Sequence, residues 1–394
     1  MNIKEILYNN LPTMTLEEFN NYKNEADNGY ITIREHPEDS NLVILNYTEL
    51  TTYERRWNKY TMSARGLILD LTDVNNNGKI YILAKPFGKF FNYGENKDYE
   101  KDIDFSDIES VTEKMDGSLG ISYFFNEEIR FATRGSFNSE QAIRATEIWK
   151  EKYADKFNWL GYMTFPYTML TEIIYPENRV VVDYKGMEDL VMLGIINLSI
   201  AKDEPISVVK SLASNLGMPV TKEYKYDLHK LLEMKKTISA NEEGWIIKFG
   251  NGKRLKIKGD EYLKVHRAVY GLSDKAKVSA WVEDNIDELI KSIPEEFREE
   301  IENLKKGLDN QLEVIKRILS AIYMNIKEYT NASKENRKDF AKMVNQVINP
   351  EYRKFMFIML NNNDNLPDKI VKEYIFKNYE HYLGEIRTWI DNDF

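Results

Sequence analysis

The chain has 394 residues, of which 42% are apolar and 30% are charged, enough for two or three domains of ordinary globular composition. It contains no cysteine, which excludes disulfides, thiolate metal sites and a cysteine nucleophile. Its net charge of −10 argues against a generally basic nucleic-acid binder, so any such role needs local cationic patches.

The amino-terminal part predicts one helix followed by strands. Thr15-Leu16-Glu17-Glu18 is a capping-box pattern that predicts a helix start. Short runs rich in β-branched and aromatic residues predict strands: YITI from Tyr30, LVILNY from Leu42, GLILDL from Gly66 and KIYILAK from Lys79. Further on, GISYFF and IRFATRGS, separated by Asn126-Glu127-Glu128, predict a β-hairpin.

The middle of the chain mixes both periodicities. Apolar spacing predicts a helix over residues 139–157 and two more over 208–216 and 227–238. TMLTEII, RVVVDY and LVMLGII predict strands, and WIIKF and KRLKIK, joined by a turn at Asn251-Gly252, predict a second hairpin.

From about residue 270 the strand signals end and long helical patterns follow. The stretch from residue 294 to 330 has apolar residues at helical spacing: Phe297, Ile301, Leu304, Leu308, Leu312, Ile315, Leu319 and Ile322. We therefore predict an α+β fold, with an antiparallel-sheet domain over residues 1–268 and an all-α domain over 269–394.

The sequence shows neither the pattern of a signal peptide nor an apolar run long enough to cross a membrane. The start, MNIKEILYNNLPTM, lacks the pattern of a signal peptide, and the longest apolar run, Leu190 to Ala201, is too short to span a bilayer. We expect a cytoplasmic protein with no membrane partner.

The stretch EKMDGSLG is the first candidate for chemistry. Lys114 stands two residues before Asp116 and three before Gly117. It is either a surface lysine before an Asp-Gly turn or a nucleophile beside a phosphate. An amine attacks phosphorus only when unprotonated, so a nucleophilic lysine requires desolvation or nearby cations.

Further motifs place charges next to predicted strands. Arg254, Lys256 and Lys258 alternate with apolar residues and therefore share one strand face, where an anion such as triphosphate would relieve their repulsion. Singly, each motif also fits a solvated face or an ion pair, but their joint order makes coincidence a poor explanation. The other motifs are SARG with Arg65, KPFGKFFN with Lys85 and Lys89, TRGS with Arg134, TEII with Glu172 and EEGWIIK with Glu243.

This order resembles the covalent nucleotidyltransferase superfamily of ATP-dependent DNA ligases, RNA ligases and mRNA capping enzymes. Over roughly residues 40–265, the likeness is greatest to the phage RNA ligase 1 family, the tRNA-repair type. It rests on RG before a strand, KFFN, KxDGS, the run PENRVVVDY after Glu172, a basic residue before GS, and KIK followed by Tyr262 and His266. The resemblance implies an ATP-grasp-like ligase core followed by a helical domain. DNA ligases and capping enzymes usually append a β-barrel, for which the sequence after Lys258 shows no pattern.

The resemblance implies roles around the nucleophile. Lys114 would form a lysyl–AMP phosphoramidate, and Lys256 would contact the α-phosphate. Asp116 would contact the ribose or a hydrated metal, and Gly117 would let the backbone approach the nucleotide.

It also implies a triphosphate and metal site. Glu172 and Glu243, with Asp116, would hold Mg²⁺ through its waters. A tyrosine upstream of the RG motif is expected, and both Tyr47 and Tyr60 fit. The remaining implied nucleotide contacts are Arg65 and Lys89 at the β and γ phosphates, Phe91 supporting them, Lys258 at the triphosphate, and Arg134, where the family more often has lysine.

The implied activity is ATP-dependent joining of 5′-phosphate and 3′-hydroxyl RNA ends through lysyl-AMP and an adenylylated RNA end. The resemblance suggests a nicked tRNA as one substrate, a monomeric enzyme and, if the gene is a phage gene, the host cytoplasm. The helical domain would set RNA preference, unless it is only a stabilising cap. The alternatives are a capping-type guanylyltransferase, a DNA ligase, and a non-catalytic RNA-binding module.

Two cationic patches are predicted to hold the RNA. One is formed by Lys253, Arg254, Lys256 and Lys258, with no acid between them in the sequence, and the other by Lys85 and Lys89.

Overall fold

The computed structural model describes residues 3–269, 273–292, 295–333 and 336–392. The chain divides into two compact units, Met1–Val269 and Tyr270–Phe394. Within the described ranges, no helix combines the length and the apolar composition that crossing a membrane demands.

The first unit is built on three five-stranded sheets. Its strands in chain order are β1 (Thr13–Met14), β2 (Ile31–His36), β3 (Asp39–Tyr47), β4 (Arg65–Asp70), β5 (Ile80–Ala84), β6 (Phe91–Asn92), β7 (Ile108–Lys114), β8 (Ser118–Phe125), β9 (Glu128–Ala132), β10 (Tyr167–Ile174), β11 (Asp189–Asn197), β12 (Lys202–Asp203), β13 (Glu223–Tyr224), β14 (Gly244–Phe249) and β15 (Arg254–Lys258).

Short helices surround these sheets. They are α1 (Ile3–Asn10), α2 (Leu16–Asp27), α3 (Glu49–Tyr53), α4 (Lys59–Ser63), α5 (Val74–Asn77), α6 (Lys97–Glu100), α7 (Glu140–Lys152), α8 (Trp159–Thr164), α9 (Ile206–Leu216), α10 (Leu228–Met234) and α11 (Asp260–Val269), with 3₁₀ turns at Ala154–Lys156 and Pro176–Asn178.

The first sheet has the order β1-β5-β4-β3-β2, the second β12-β11-β10-β8-β9 and the third β13-β7-β14-β15-β6. Neighbouring strands in these sheets are antiparallel, apart from the parallel pair β15 and β6. The largest apolar core contains residues of the first two sheets and α7, and a separate core lies against the third sheet. The predicted antiparallel architecture is confirmed.

The predicted helix start and hairpins are confirmed. The Thr15 side chain accepts a hydrogen bond from the Glu18 amide and caps α2. In the hairpin of β8 and β9, Phe125 pairs with Glu128, which leaves Asn126 and Glu127 as a two-residue turn, both with positive φ. Such a turn matches the twist of the paired strands.

One predicted strand is wrong. RVVVDY, residues 179–184, forms no strand, although Val181 and Val182 are buried as the pattern suggests. The amides of these two valines donate to the Asp116 carboxylate at 2.9 and 2.8 Å, and a side chain therefore replaces the neighbouring strand. Apolar composition alone does not distinguish these arrangements.

In its described residues, the second unit has helices as its only regular elements. They are α12 (Asp274–Val282), α13 (Ile286–Ser292), α14 (Glu295–Thr330), α15 (Lys338–Val347), α16 (Pro350–Asn361), α17 (Asp368–Lys377) and α18 (Tyr379–Asn392). The predicted long helix is confirmed as α14, which buries Ile301, Leu304, Leu308, Leu312 and Leu319. The predicted apolar position Phe297 lies outside the described side chains.

Candidate active site

Three strands of the third sheet bring two lysines into one row. Gly244, the first residue of β14, pairs with Lys114 of β7 on one side and with Lys258 of β15 on the other. Adjacent strands lie about 4.8 Å apart, so the two lysine backbones flank the start of β14. The predicted nucleophile and the predicted triphosphate ligand therefore lie at the same end of one sheet.

Both lysines share the carboxylate of Glu243. Its Oε2 accepts a hydrogen bond from Lys114 Nζ at 2.6 Å, and its Oε1 lies 3.0 Å from Lys258 Nζ. The side chain of Glu243 is 2% exposed, whereas that of Lys114 is 22% exposed. A buried carboxylate thus anchors an amine that still reaches solvent.

Steric crowding explains why glycine follows Glu243. Gly244 has φ +140°, a conformation that side chains rarely adopt, and a Cβ there would overlap the carbonyl oxygen of Ile257. The EG pair therefore joins a carboxylate that contacts both lysines to a residue that lets β15 approach β14 closely.

Asp116 is a structural centre of the KMDG turn. Its Oδ2 accepts the amides of Val181 and Val182, and its Oδ1 accepts the Tyr262 hydroxyl at 2.8 Å. The Asp116 amide donates to the Tyr184 hydroxyl at 2.8 Å. The carboxylate therefore fastens the turn to the 179–184 segment and to α11, and its predicted ribose or metal role stays a prediction.

Gly117 lies against β10. Its amide donates to Glu172 Oε1 at 2.9 Å, and a Cβ on it would lie 2.7 Å from the Ile173 carbonyl oxygen. Glycine is therefore required here for a close approach between two backbones. The contact places Glu172 directly beside the turn that follows Lys114.

Glu172 has an unusual protonation equilibrium. Burial raises its pKa to about 7, with the nearby carboxylates of Glu243 and Asp116 adding to the rise. The charge of Lys114 and the Gly117 amide act in the opposite direction. A substantial fraction of Glu172 is therefore protonated near neutral pH.

A second group of residues surrounds Lys89, which is 3% exposed. Its Nζ lies 4.7 Å from the ring centroid of Phe91, 5.0 Å from that of Trp57 and 5.8 Å from that of Tyr47. We call these three rings the aromatic box. Each ring presents its negative face to the ammonium group, an attraction that strengthens when water is excluded.

The aromatic box also contacts Arg134. Arg134 Nη1 donates to the Tyr47 hydroxyl at 2.9 Å, and its guanidinium lies 4.9 Å from the centre of that ring. Tyr60 instead packs edge-on against Tyr22 in the core of the first sheet. Of the two tyrosines that the sequence left open, Tyr47 is therefore the one beside Lys89 and Arg134, and its role toward the phosphates stays a prediction.

Arg65 and Lys256 connect these two groups. Arg65 starts β4 with its guanidinium 5.4 Å from the Phe90 ring, and the following Gly66 lies against the backbone of Arg134. Lys256 lies opposite Asn92 in the parallel pair of β15 and β6. Because β6 begins with Phe91, this pairing ties the aromatic box to the strand of Lys256 and Lys258.

Three of the four cations in the predicted RNA-binding patch at residues 253–258 are paired with acids, and RNA binding there stays a prediction. Arg254 forms an ion pair with Asp203, Lys253 lies 3.2 Å from Asp102, and Lys258 is paired with Glu243. These acids come from distant parts of the sequence, so the absence of acids between the lysines was misleading. In the second predicted patch, formed by Lys85 and Lys89, the Lys89 side chain is buried in the aromatic box and is not an exposed surface cation.

Some residues around the site were missed. Trp57 follows a charged run and belongs to no motif, and Tyr184 lies in a segment whose pattern predicts a strand. Asn178, which accepts from the Ser118 hydroxyl at 3.1 Å and donates to the Ile173 carbonyl, lies in the run PENRVVVDY but carries no charge or spacing that indicates these contacts.

Comparison with known proteins identifies the chain. A family model described as RNA ligase matches residues 63–263, slightly more than half of the chain. The matched range includes the site residues from Arg65 to Lys258. The chain belongs to this phage RNA ligase family. The predicted family and the predicted RNA ligase activity, which forms phosphodiester bonds in RNA, are thereby confirmed.

Individual relatives of the ligase are distant. An RNA ligase of Rhodothermus phage RM378 is 22% identical over 346 residues, covering 72% of this chain and 77% of that protein. RNA ligase 1 of bacteriophage TS2126 is 32% identical over 111 residues, covering 26% and 28%. Among solved structures, an archaeal ATP-dependent RNA ligase is 14% identical with a TM-score of 0.45, covering 84% of this chain and 87% of that one.

Proposed function

We propose that the ligase uses ATP to join 5′-phosphate and 3′-hydroxyl RNA ends, with Lys114 as the residue that carries AMP. The observation behind this proposal is the partly exposed Lys114 amine, held at 2.6 Å by a buried carboxylate that Lys258 also contacts. A lysine that serves only as a solvated surface charge does not require a buried carboxylate partner.

In the first step, the unprotonated Lys114 Nζ attacks the α-phosphorus of ATP. A nitrogen–phosphorus bond forms, the bond from phosphorus to the bridging oxygen breaks, and pyrophosphate leaves. The lysine proton passes toward Glu243 Oε2, the acceptor at 2.6 Å. Lys258, on the other oxygen of Glu243, offers positive charge to the phosphates.

Cations stabilise the charge that develops on the phosphates, which is the largest catalytic contribution expected in this chemistry. In the proposal, Arg65, Lys89 and Arg134 hold the β and γ phosphates, and Lys256 contacts the α-phosphate. The pairing of β6 with β15 supports this division, because it links the aromatic box to Lys256.

The residues fit a divalent cation held through water. No group of three or more His, Asp or Glu residues in the described ranges is arranged to bind a metal directly. The raised pKa of Glu172, beside Glu243 and Asp116, nevertheless indicates a pocket that a cation would stabilise. We propose Mg²⁺ there, which when bound would neutralise phosphate charge.

The later steps transfer AMP to the 5′-phosphate of RNA and then release it when the 3′-hydroxyl attacks. Their rate depends on alignment of the two ends.

We propose that the helical unit sets the RNA preference, with a nicked tRNA as a substrate, and that the ligase acts as a monomer in the host cytoplasm. A nicked tRNA joined at least tenfold more efficiently than a single strand with the same ends supports this part, and equal efficiencies would contradict it.

Intact mass after incubation with Mg²⁺ and either ATP or GTP tests the first step. The protein is first treated with pyrophosphate so that it starts free of AMP. The expected result is a gain of one AMP in the wild type and in Lys101→Ala, an exposed-lysine control, and none in Lys114→Ala. A GMP adduct would instead indicate the capping-type activity, and no adduct would indicate the non-catalytic module.

A further inference from the structure

Trp57 is the central member of the aromatic box. Its ring contacts Tyr47 edge-on at 5.1 Å and Phe91 edge-on at 5.4 Å, and it lies 5.0 Å from Lys89 Nζ. The other two rings flank it, so its removal opens the box and lets water reach the ammonium group.

The chain holds Trp57 firmly on both sides. Its neighbour Arg56 pairs with Glu25 at 3.1 Å, and its other neighbour Asn58 donates to the same carboxylate at 2.9 Å. Asn58 also forms a reciprocal capping box with Thr61 at the start of α4. A buried glutamate thus fixes the backbone before and after the tryptophan.

The box is connected to a second cation. Arg134 donates to the hydroxyl of Tyr47 and lies over its ring, so the ring that contacts Trp57 also orients Arg134. Trp57 therefore contacts Lys89 directly and reaches Arg134 through the Tyr47 ring.

We propose that Trp57 is a positioning residue for the pyrophosphate part of ATP, acting through Lys89 and Arg134. This inference rests on the proposed function. Because pyrophosphate takes part only in the formation of lysyl-AMP and in its reversal, Trp57 affects those reactions and leaves the sealing of an already adenylylated RNA end unchanged.

The test compares Trp57→Leu with the wild type in two assays. In lysyl-AMP formation, the variant is expected to raise the KM for ATP about tenfold, equivalent to ~1.4 kcal/mol. In the joining of RNA that already carries AMP on its 5′ end, which needs no ATP, the rate is expected to stay within about twofold. Trp57→Phe, which keeps a ring, is expected to raise the KM only about threefold.

Trp159→Leu is the matched control, because Trp159 is also half-buried among aromatic rings but lies away from the box. It is expected to leave both assays unchanged. Thermal melting checks the fold of every variant, and Trp57→Phe provides the test if Trp57→Leu does not fold.

Equal losses in both assays would make Trp57 a merely structural residue, and an unchanged KM for ATP would also overturn the inference. Failure of the proposed function is distinguishable, because the wild type would then form no AMP adduct at all.

Discussion

Replacing Glu172 by Gln tests the electrostatics of the site. Burial raises the pKa of Glu172 from 4.5 to about 7, so the folded protein binds its proton more tightly than the unfolded chain does. Stability from this group is therefore complete below about pH 4.5 and is lost as the pH rises through about 7. Gln is neutral at every pH and keeps an oxygen for the Gly117 amide, so it avoids this loss.

The magnitude follows from the shift. A rise from 4.5 to about 7 corresponds to roughly 3 kcal/mol in total, of which about 2 kcal/mol falls between pH 5.5 and 8.5. The free energy of unfolding of Glu172→Gln relative to the wild type is thus expected to increase by about 2 kcal/mol over that range.

The assay is urea denaturation without divalent metal, repeated at several pH values. Glu177→Gln, which changes an exposed carboxylate three residues past β10, is the control and should differ from the wild type equally at every pH. Adding Mg²⁺ at pH 8 should shrink the advantage of Glu172→Gln, because a bound cation stabilises the carboxylate. A difference that stays flat between pH 5.5 and 8.5 would refute the account of Glu172.

Two other substitutions have defined outcomes. Gly244→Ala forces a side chain into a conformation with φ +140° and against the Ile257 carbonyl, so we expect a loss of about 3 kcal/mol or more in urea denaturation and little AMP adduct. A stable, active Gly244→Ala would show that β15 moves freely. Asp116→Asn turns an NH₂ group toward donors, and we expect a loss of about 2–3 kcal/mol, against about 1 kcal/mol for Tyr262→Phe, which removes one donor. Equal losses in these two variants would contradict the central role of the carboxylate.

The sequence predicted strongly patterned elements well. Runs such as LVILNY and GLILDL became β3 and β4 because continuous apolar runs are buried on both faces. β7, which carries Lys114, was not predicted as a strand. Its residues IESVTEK contain only two apolar side chains, and its place in the sheet depends on pairing with β13 and β14, which are far along the chain.

The sequence predicted those site residues whose chemical type and order along the chain both match the ligase motifs. Lys114, Gly117, Glu172, Glu243 and Lys258 all contribute to one group of contacts. Their assigned roles toward ATP and metal stay predictions.

The rest depended on long-range contacts that carry no local signal. The ion pair of Arg254 with Asp203 neutralises a charge that looked free in the sequence, and the distance of Trp57 from Lys89 follows only from the fold. A one-dimensional pattern reports which face a side chain occupies, whereas its partner is set by how distant strands meet.

The pairing of Lys114 with Glu243 joins residues 129 positions apart in the chain. Contacts of such sequence separation require closure of a long loop, which is the slow, entropically costly part of folding. The KMDG turn therefore supplies a lysine early in synthesis but no carboxylate to hold it. The proposed nucleophile gains its carboxylate partner only when β14 and β15, the last strands of the first unit, have entered the sheet in register. On the proposed role of Lys114, we expect a chain that ends before β14 to form no AMP adduct, and appearance of the adduct would report completion of the first unit.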